Sequence, residues 1–232
     1  MTSADAADPI GAGERIDPPS LVALAAESIR KMILSGAFEP GDRLIEERLT
    51  EHLGISRPPL REALRLLQND GLVVTRPRYG STVATLTDQD VFEILTLRTG
   101  LEKMAVELGV PVRERARLTA CHAALERMEL NARDEDRGSL VENAYAFHAS
   151  IVALAGHRRL SEIYRSVQQQ MLLCMSRNLD TRERYYESLV EHVARHRHLL
   201  ELIEAGDPHA VLEELAVHGE RSFAERRAPE GS

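Results

Sequence analysis

Cysteine is nearly absent: only Cys121 and Cys174 occur in 232 residues, each inside an apolar helical pattern. That excludes a disulfide framework and fits a reducing cytoplasm. No apolar run approaches the ~20 residues needed to span a bilayer. The first 19 residues, rich in Ala, Asp, Gly and Pro, lack a basic start and an apolar run. They read as a disordered tail, and neither as a signal peptide nor as a membrane helix. There is no Gly-rich phosphate cradle, no separate nucleophile motif, and no internal repeat of about 20–50 residues. Positive charge is also short, with a net charge of −8 and a pI near 5.6, which alone argues against a nucleic-acid binder.

The whole-chain sum hides the distribution. Ser20 to Thr85 carries nine Lys/Arg against eight Asp/Glu, so the acidic excess lies elsewhere. A phosphate responds to charge within about a Debye length, ~8–10 Å, so a local basic face suffices. Gly54 to Gly71, GISRPPLREALRLLQNDG, supplies one. Ser56 is a good N-cap, its hydroxyl expected to take up a free backbone N–H. Pro58 and Pro59 sit in the first turn, where a missing N–H costs little. Leu60, Ala63, Leu64 and Leu67 form one apolar helix face, while Arg57, Arg61 and Arg65 recur every fourth residue on another. Asn69-Asp70-Gly71 stops the helix.

Arginines at this spacing also describe an ordinary solvated face, so the flanks decide. Leu44 to Leu53 reads as a preceding helix, and Gly54-Ile55 as a tight turn, which is helix-turn-helix spacing. Downstream, residues 72–75 and 82–85 read as short strands joined by the basic turn Arg76-Pro77-Arg78-Tyr79-Gly80. Together they predict a winged helix-turn-helix, able to set Arg against phosphates and guanine edges.

With a leading helix at Leu21–Ser35 and the turn Pro40-Gly41-Asp42-Arg43-Leu44, the run LIEERLTEHLGISRPPLREALRLLQNDGLV resembles the GntR-type winged-helix transcription regulators. The resemblance implies that Arg57 and Arg61 read the major groove, Ser56 contacts phosphate and Gly80 approaches the minor groove. Arg43, Arg48, Pro58, Arg65 and Arg78 complete the candidate DNA contacts. Glu47 stands where many members carry a basic contact residue, so that contact is expected to be lost or its base preference altered.

After Thr85 the pattern is helical almost throughout. Candidates run 88–109, 113–132, 139–155, 158–178, 184–205 and 208–227, opened by Thr87-Asp88 and Asp207-Pro208 caps and separated by Pro111, Gly138, Gly156 and Gly206. Six amphipathic helices predict an antiparallel bundle. Three apolar stripes each contain a histidine: His148 with Val141, Tyr145, Val152 and Ala155; His196 with Leu189, Val193, Leu200 and Ile203; His218 with Val211, Leu215 and Ser222. Three inward imidazoles can either be core residues bonded to neighbours or form the nitrogen face of a divalent-metal site. Arg98 lies on the stripe of Ile94, Leu101, Ala105 and Leu108 and needs an anion. Two partners are open to it: Glu102 one turn away, or the carboxylate of a small-molecule effector held bidentately.

FHASIVALAG, then HRHLLELIEAGD, then His218 resembles the FadR-like (FCD) ligand-binding domain of the same regulators. The resemblance implies a metal held by an acidic or amide residue and three histidines, with an organic acid beside it. His148, His196 and His218 match the histidine positions, but Ala144 stands at the acidic one. Asn143 is adjacent, about 100° away on an ideal helix, and His192 lies one turn before His196.

The expected molecule is mostly α: a disordered tail at 1–19, a winged helix-turn-helix with three helices and a β-hairpin wing at 20–86, and an all-helical effector-binding and dimerisation bundle at 87–228. It is expected to be a cytoplasmic, homodimeric DNA-binding regulator, a repressor, reading a palindromic operator. A small carboxylate effector, bound through Arg98, Asn143, His148, His196 and His218, and a Zn, Ni or Mn ion on the histidines would control it. It is not expected to be an enzyme. The alternative is a metal-dependent, hydrolase-like enzyme built on the three-histidine centre.

Overall fold

The computed structural model describes residues 20–185 and 188–220. The chain opens with α1 (Leu21–Leu34), capped by the Ser20 hydroxyl, which accepts from the Ala23 N–H. It continues through β1 (Arg43–Leu44), α2 (Glu46–Leu53), α3 (Arg57–Asn69), β2 (Val73–Arg76) and β3 (Gly80–Val83). α2 ends on Gly54 in the left-handed conformation, φ 64°, which turns the chain sharply into α3. Ile29, Leu60, Ala63, Leu64, Leu67 and Leu72 are buried at the centre of this winged helix-turn-helix. Arg30 donates to Asp70 at 2.6 Å and ties α1 to the C-terminus of α3.

Three details differ from expectation. Ser56 occupies the N-cap position of α3, but its hydroxyl accepts no backbone N–H. The residues whose amides would donate, at N2 and N3, are Pro58 and Pro59, and proline has no N–H. The wing has three strands rather than two, in the order β1-β3-β2, with Arg43 opposite Thr82 and Leu44 opposite Ser81. Leu44 therefore belongs to a strand, and α2 begins two residues later. The hairpin strands are 73–76 and 80–83, so Arg76 and Gly80 pair within the sheet and only Pro77, Arg78 and Tyr79 form the loop. Arg78 supplies the positive φ, 69°, that a three-residue connection requires.

The remaining helices are α4 (Asp88–Gly109), α5 (Thr119–Arg133, after a 3-10 turn at Arg115–Leu118), α6 (Arg137–Leu154), α7 (Arg158–Ser166), α8 (Gln168–Tyr185), α9 (Leu189–Ala205) and α10 (Pro208–Glu220). Thr87 with Asp90, and Ser188 with Glu191, form reciprocal capping boxes, and the Asp207 carboxylate accepts from the His209 and Ala210 amides. The helix expected at 158–178 is broken at Val167. There the Ser166 hydroxyl takes the Ile163 carbonyl, and the Val167 N–H turns to Arg165 instead. Residues 184 and 185 end α8 rather than opening α9. The expected stretch 221–227, Ser222 included, lies outside the described residues. Leu108, expected on the inner stripe of α4, is exposed.

Met128, Phe147, Ile151 and Leu199 centre the bundle core. The two cores meet around α1. Leu34 of α1 belongs to the bundle core, Leu173 of α8 packs into the winged-helix core, and the Ser176 hydroxyl donates to the Leu34 carbonyl. A Cβ at Gly138 would stand 2.9 Å from the Lys31 carbonyl oxygen, so α1 and α6 approach backbone to backbone there. Among the described residues no helix is long and apolar enough to cross a membrane.

Burial sets the sensitivity of α3. Leu67→Ala should cost about 2–5 kcal/mol in urea unfolding, while Leu66→Ala, exposed one residue away, should stay within about 0.5 kcal/mol. Equal effects would contradict this packing.

Candidate metal centre and DNA-contact face

The helix periods carry His148 (α6), His196 (α9) and His218 (α10) to one point, all buried, with a ligand atom of each within 4.8 Å of the others. The His196 Nδ1 lies 2.8 Å from the His192 carbonyl, which can only accept. His196 therefore carries its proton on Nδ1 and presents a bare Nε2. That Nε2 lies 3.3 Å from the Nε2 of His218, whose Nδ1 faces Glu214 at 3.5 Å. His148 turns Nδ1 toward Glu102 Oε1 at 3.2 Å, close but not aligned as a hydrogen bond. Each outer nitrogen thus faces an oxygen, and the Nε2 side faces the shared point. This is how proteins orient imidazoles toward a cation.

The electrostatics favour neutral rings. Burial pushes the His148, His196 and His218 pKa values below the ordinary histidine value. Arg98 adds to the effect at His148, the other rings at His196, and His148 with Arg195 at His218. Burial opposes the Glu102 charge as well, but the Arg98 guanidinium outweighs it and holds that carboxyl well below the usual range. One oxygen, Glu102 Oε1, accepts from Arg98 Nε and from the Tyr164 hydroxyl, both at 2.8 Å. Of the two partners open to Arg98, the structure pairs it with Glu102.

Ala144 lines the enclosed space beside the histidines, together with Arg98, Met175, Leu179, His192 and Arg195. Its volume is ≈ 20 Å³, room for a water or a bare ion and not for an organic acid. A much larger depression, ≈ 570 Å³, lies by Met32, Phe38, Arg43, Ile45 and Arg48, remote from these groups. Asn143 does not join the site. Its amide is spent on the Asn131 side chain and the Ser139 carbonyl, and it accepts from Arg127. The offset of about 100° from Ala144 carries it to the α5 side. His192 borders the cavity and contributes its carbonyl to orienting His196, while its Nδ1 faces Arg195 at 3.2 Å. Tyr164 reaches the site from another helix and only folding brings it there, whereas Glu214, one turn before His218, and Arg195, beside His196, could have been found from i,i+4 spacing and adjacency.

On the winged helix, Arg57, Arg61 and Arg65 are exposed along α3, as are Arg43, Arg48, Ser56, Pro58, Arg78 and Gly80 around it. Arg61 is not free: Glu46 of α2 holds it. Gly80 has φ 82°, and the Arg43 guanidinium lies 3.7 Å from where its Cβ would stand.

Residues 21–83 match the model of the bacterial regulatory proteins of the gntR family, and residues 93–221 match the FCD domain. The chain belongs to the gntR family. It is a transcriptional regulator with a winged helix-turn-helix head and an FCD bundle, as the paired motifs implied. The regulator is 32% identical over 192 residues to an uncharacterized HTH-type transcriptional regulator, YdhC, of Bacillus subtilis, covering 82% of this chain and 84% of that one. It is 25% identical to the gluconate operon transcriptional repressor of B. subtilis, over 82% of this chain and 78% of that one. The solved structure of Escherichia coli McbR/YncC superposes with a TM-score of 0.64 at 25% identity, covering 88% and 96%.

Neutral burial fixes a pH dependence. The unfolded histidines take up protons near their ordinary pKa of about 6.5, while the folded ones resist. Their contribution is fully present above that pH and is lost as the pH falls below it. The urea midpoint of chelator-treated regulator should therefore drop between pH 7.5 and pH 5.5, by less when His196 and His218 are both replaced by Gln. An undiminished drop in that variant would contradict the assignment.

Proposed function

We propose that this regulator is a homodimeric repressor that reads a palindromic operator through α3, and that a divalent metal on His148, His196 and His218 helps a small organic acid control it. The exposed row of Arg57, Arg61 and Arg65, on a helix whose opposite face is buried, carries the DNA reading. Ser56, its hydroxyl uncommitted to the cap, suits a phosphate contact, and Arg43, Arg48, Arg78 and Gly80 border the same face. The related gluconate operon repressor supports the sign of regulation. A regulator of this kind works where the genome lies, in the cytoplasm.

For the bundle, the support is the convergence of three bare or readily bared imidazole nitrogens backed by Glu102, the His192 carbonyl and Glu214. The donor set fits Zn, Ni or Mn, with Zn and Ni favoured by an all-nitrogen face. The cation would act as a Lewis acid toward an incoming carboxylate. Ala144 supplies no ligand, so water or the effector completes the shell. The space beside the rings admits an organic acid only when Met175 and Leu179 move aside, and Met adapts readily. Arg195, which bonds the His218 carbonyl and borders the cavity, and Arg98 supply positive charge there. A second copy is supported by the outer face of α4, where Leu97, Met104 and Leu108 are exposed at 41%, 43% and 55% around Gly100.

An operator can be obtained by selecting bound duplexes from a random pool. Against it, Arg61→Ala should lose about 1–3 kcal/mol of binding free energy, the size of one bidentate base contact. Unchanged affinity would reject base reading by Arg61. Separately, Zn²⁺, Ni²⁺ or Mn²⁺ added to chelator-stripped protein should raise the melting midpoint saturably through binding to the folded state. His196→Ala should abolish the rise, and a rise that survives it would place the ion elsewhere.

A further inference from the structure

Resting on the reading of α3 as the recognition helix, we infer that Glu46 is the specificity-determining partner of Arg61, holding that guanidinium in the pose that reads a base edge. Arg61 Nε lies 3.1 Å from both carboxylate oxygens of Glu46, and Nη2 lies 3.0 Å from Oε2. The contact crosses from the first residue of α2 to the second turn of α3, 15 residues apart in sequence.

The edge used matters. Glu46 engages the side of the guanidinium carrying Nε and Nη2, which leaves the Nη1/Nη2 end free. A free arginine samples many rotamers and can settle on any phosphate; one gripped along its side is presented end-on. Two parallel N–H groups at that end match the O6 and N7 acceptors of guanine. The entropy of ordering the side chain is then lost before DNA arrives.

The carboxylate also sets a selection. A negative charge on the DNA-facing side repels every phosphate equally, so it weakens binding to any sequence. It improves binding only where a base accepts from the arginine it positions. Glu46 thus lowers affinity for random DNA while raising the ratio of operator to random binding. The pair is largely open to solvent, with side-chain exposures of 64% for Arg61 and 36% for Glu46. Such pairs contribute little to folding, so the residue can be altered with the head intact.

The test compares wild type, Glu46→Gln, Arg61→Ala and the double variant on the selected operator and on a scrambled duplex of equal length, across a salt series. Glu46→Gln should bind the scrambled duplex more tightly, yet its preference for the operator should fall about tenfold, the size of one base contact. The selected sequence should relax at one guanine in each half-site. In the Arg61→Ala background the same change should leave the preference untouched. A preference unchanged in Glu46→Gln, or both duplexes tightened by the same factor, would overturn the inference while leaving Arg61 as a reader. If Arg61→Ala itself keeps full preference, the underlying reading of α3 fails instead.

Discussion

A carboxylate buried beside imidazoles needs a positive partner, and Arg98 provides it for Glu102 one helical turn away. Much of the bundle interior follows from that pair. Glu102 Oε1 takes the Arg98 Nε and the Tyr164 hydroxyl and lies beside His148, so α4, α6 and α7 are joined at one atom. Breaking such a pair by removing one partner typically costs about 3–5 kcal/mol, because the survivor stays buried and charged. With Ala144 at the position of the acidic ligand, the carboxylates near the histidines stand behind the rings: Glu102, itself paired with Arg98, beside His148, and Glu214 beside His218.

The head and the bundle are not independent. α1 contributes Leu34 to one core while α8 contributes Leu173 to the other. α8 also carries Met175 and Leu179, which border the histidine cavity. Side chains on one helix therefore face both the histidine cavity and the core beneath α3. Any ligand that moves α8 acts on both, provided it binds the two arrangements unequally.

What was legible in the sequence follows helical periodicity and capping. The arginine face of α3, the inward histidines and the starts at Thr87 and Asp207 all depend on spacings within one element, which sequence displays directly. The rest depends on competition or on contact between elements. Ser56 has the residue type of a capping hydroxyl, but the two prolines after it remove the donors. The two-residue β1 is too short to carry a period and exists because β3 offers it a partner. The break at Val167 comes from a single serine hydroxyl taking a carbonyl. Asn143 is adjacent to Ala144 in sequence, but one residue of helix rotation takes it to α5. Glu46 carries no such signal, because the side chain it pairs with, Arg61, lies on another helix.

In the proposed site three neutral imidazoles, oriented from behind by oxygen atoms, bind a cation with no protein carboxylate in direct contact. X-ray absorption at the zinc edge of the zinc-loaded regulator tests it most directly. The first coordination shell should consist of nitrogen and oxygen at about 2.0–2.2 Å, with the outer-ring scattering of three imidazoles. That scattering should drop by one ring in His218→Ala. A shell of oxygen alone, or imidazole scattering unchanged in that variant, would contradict it.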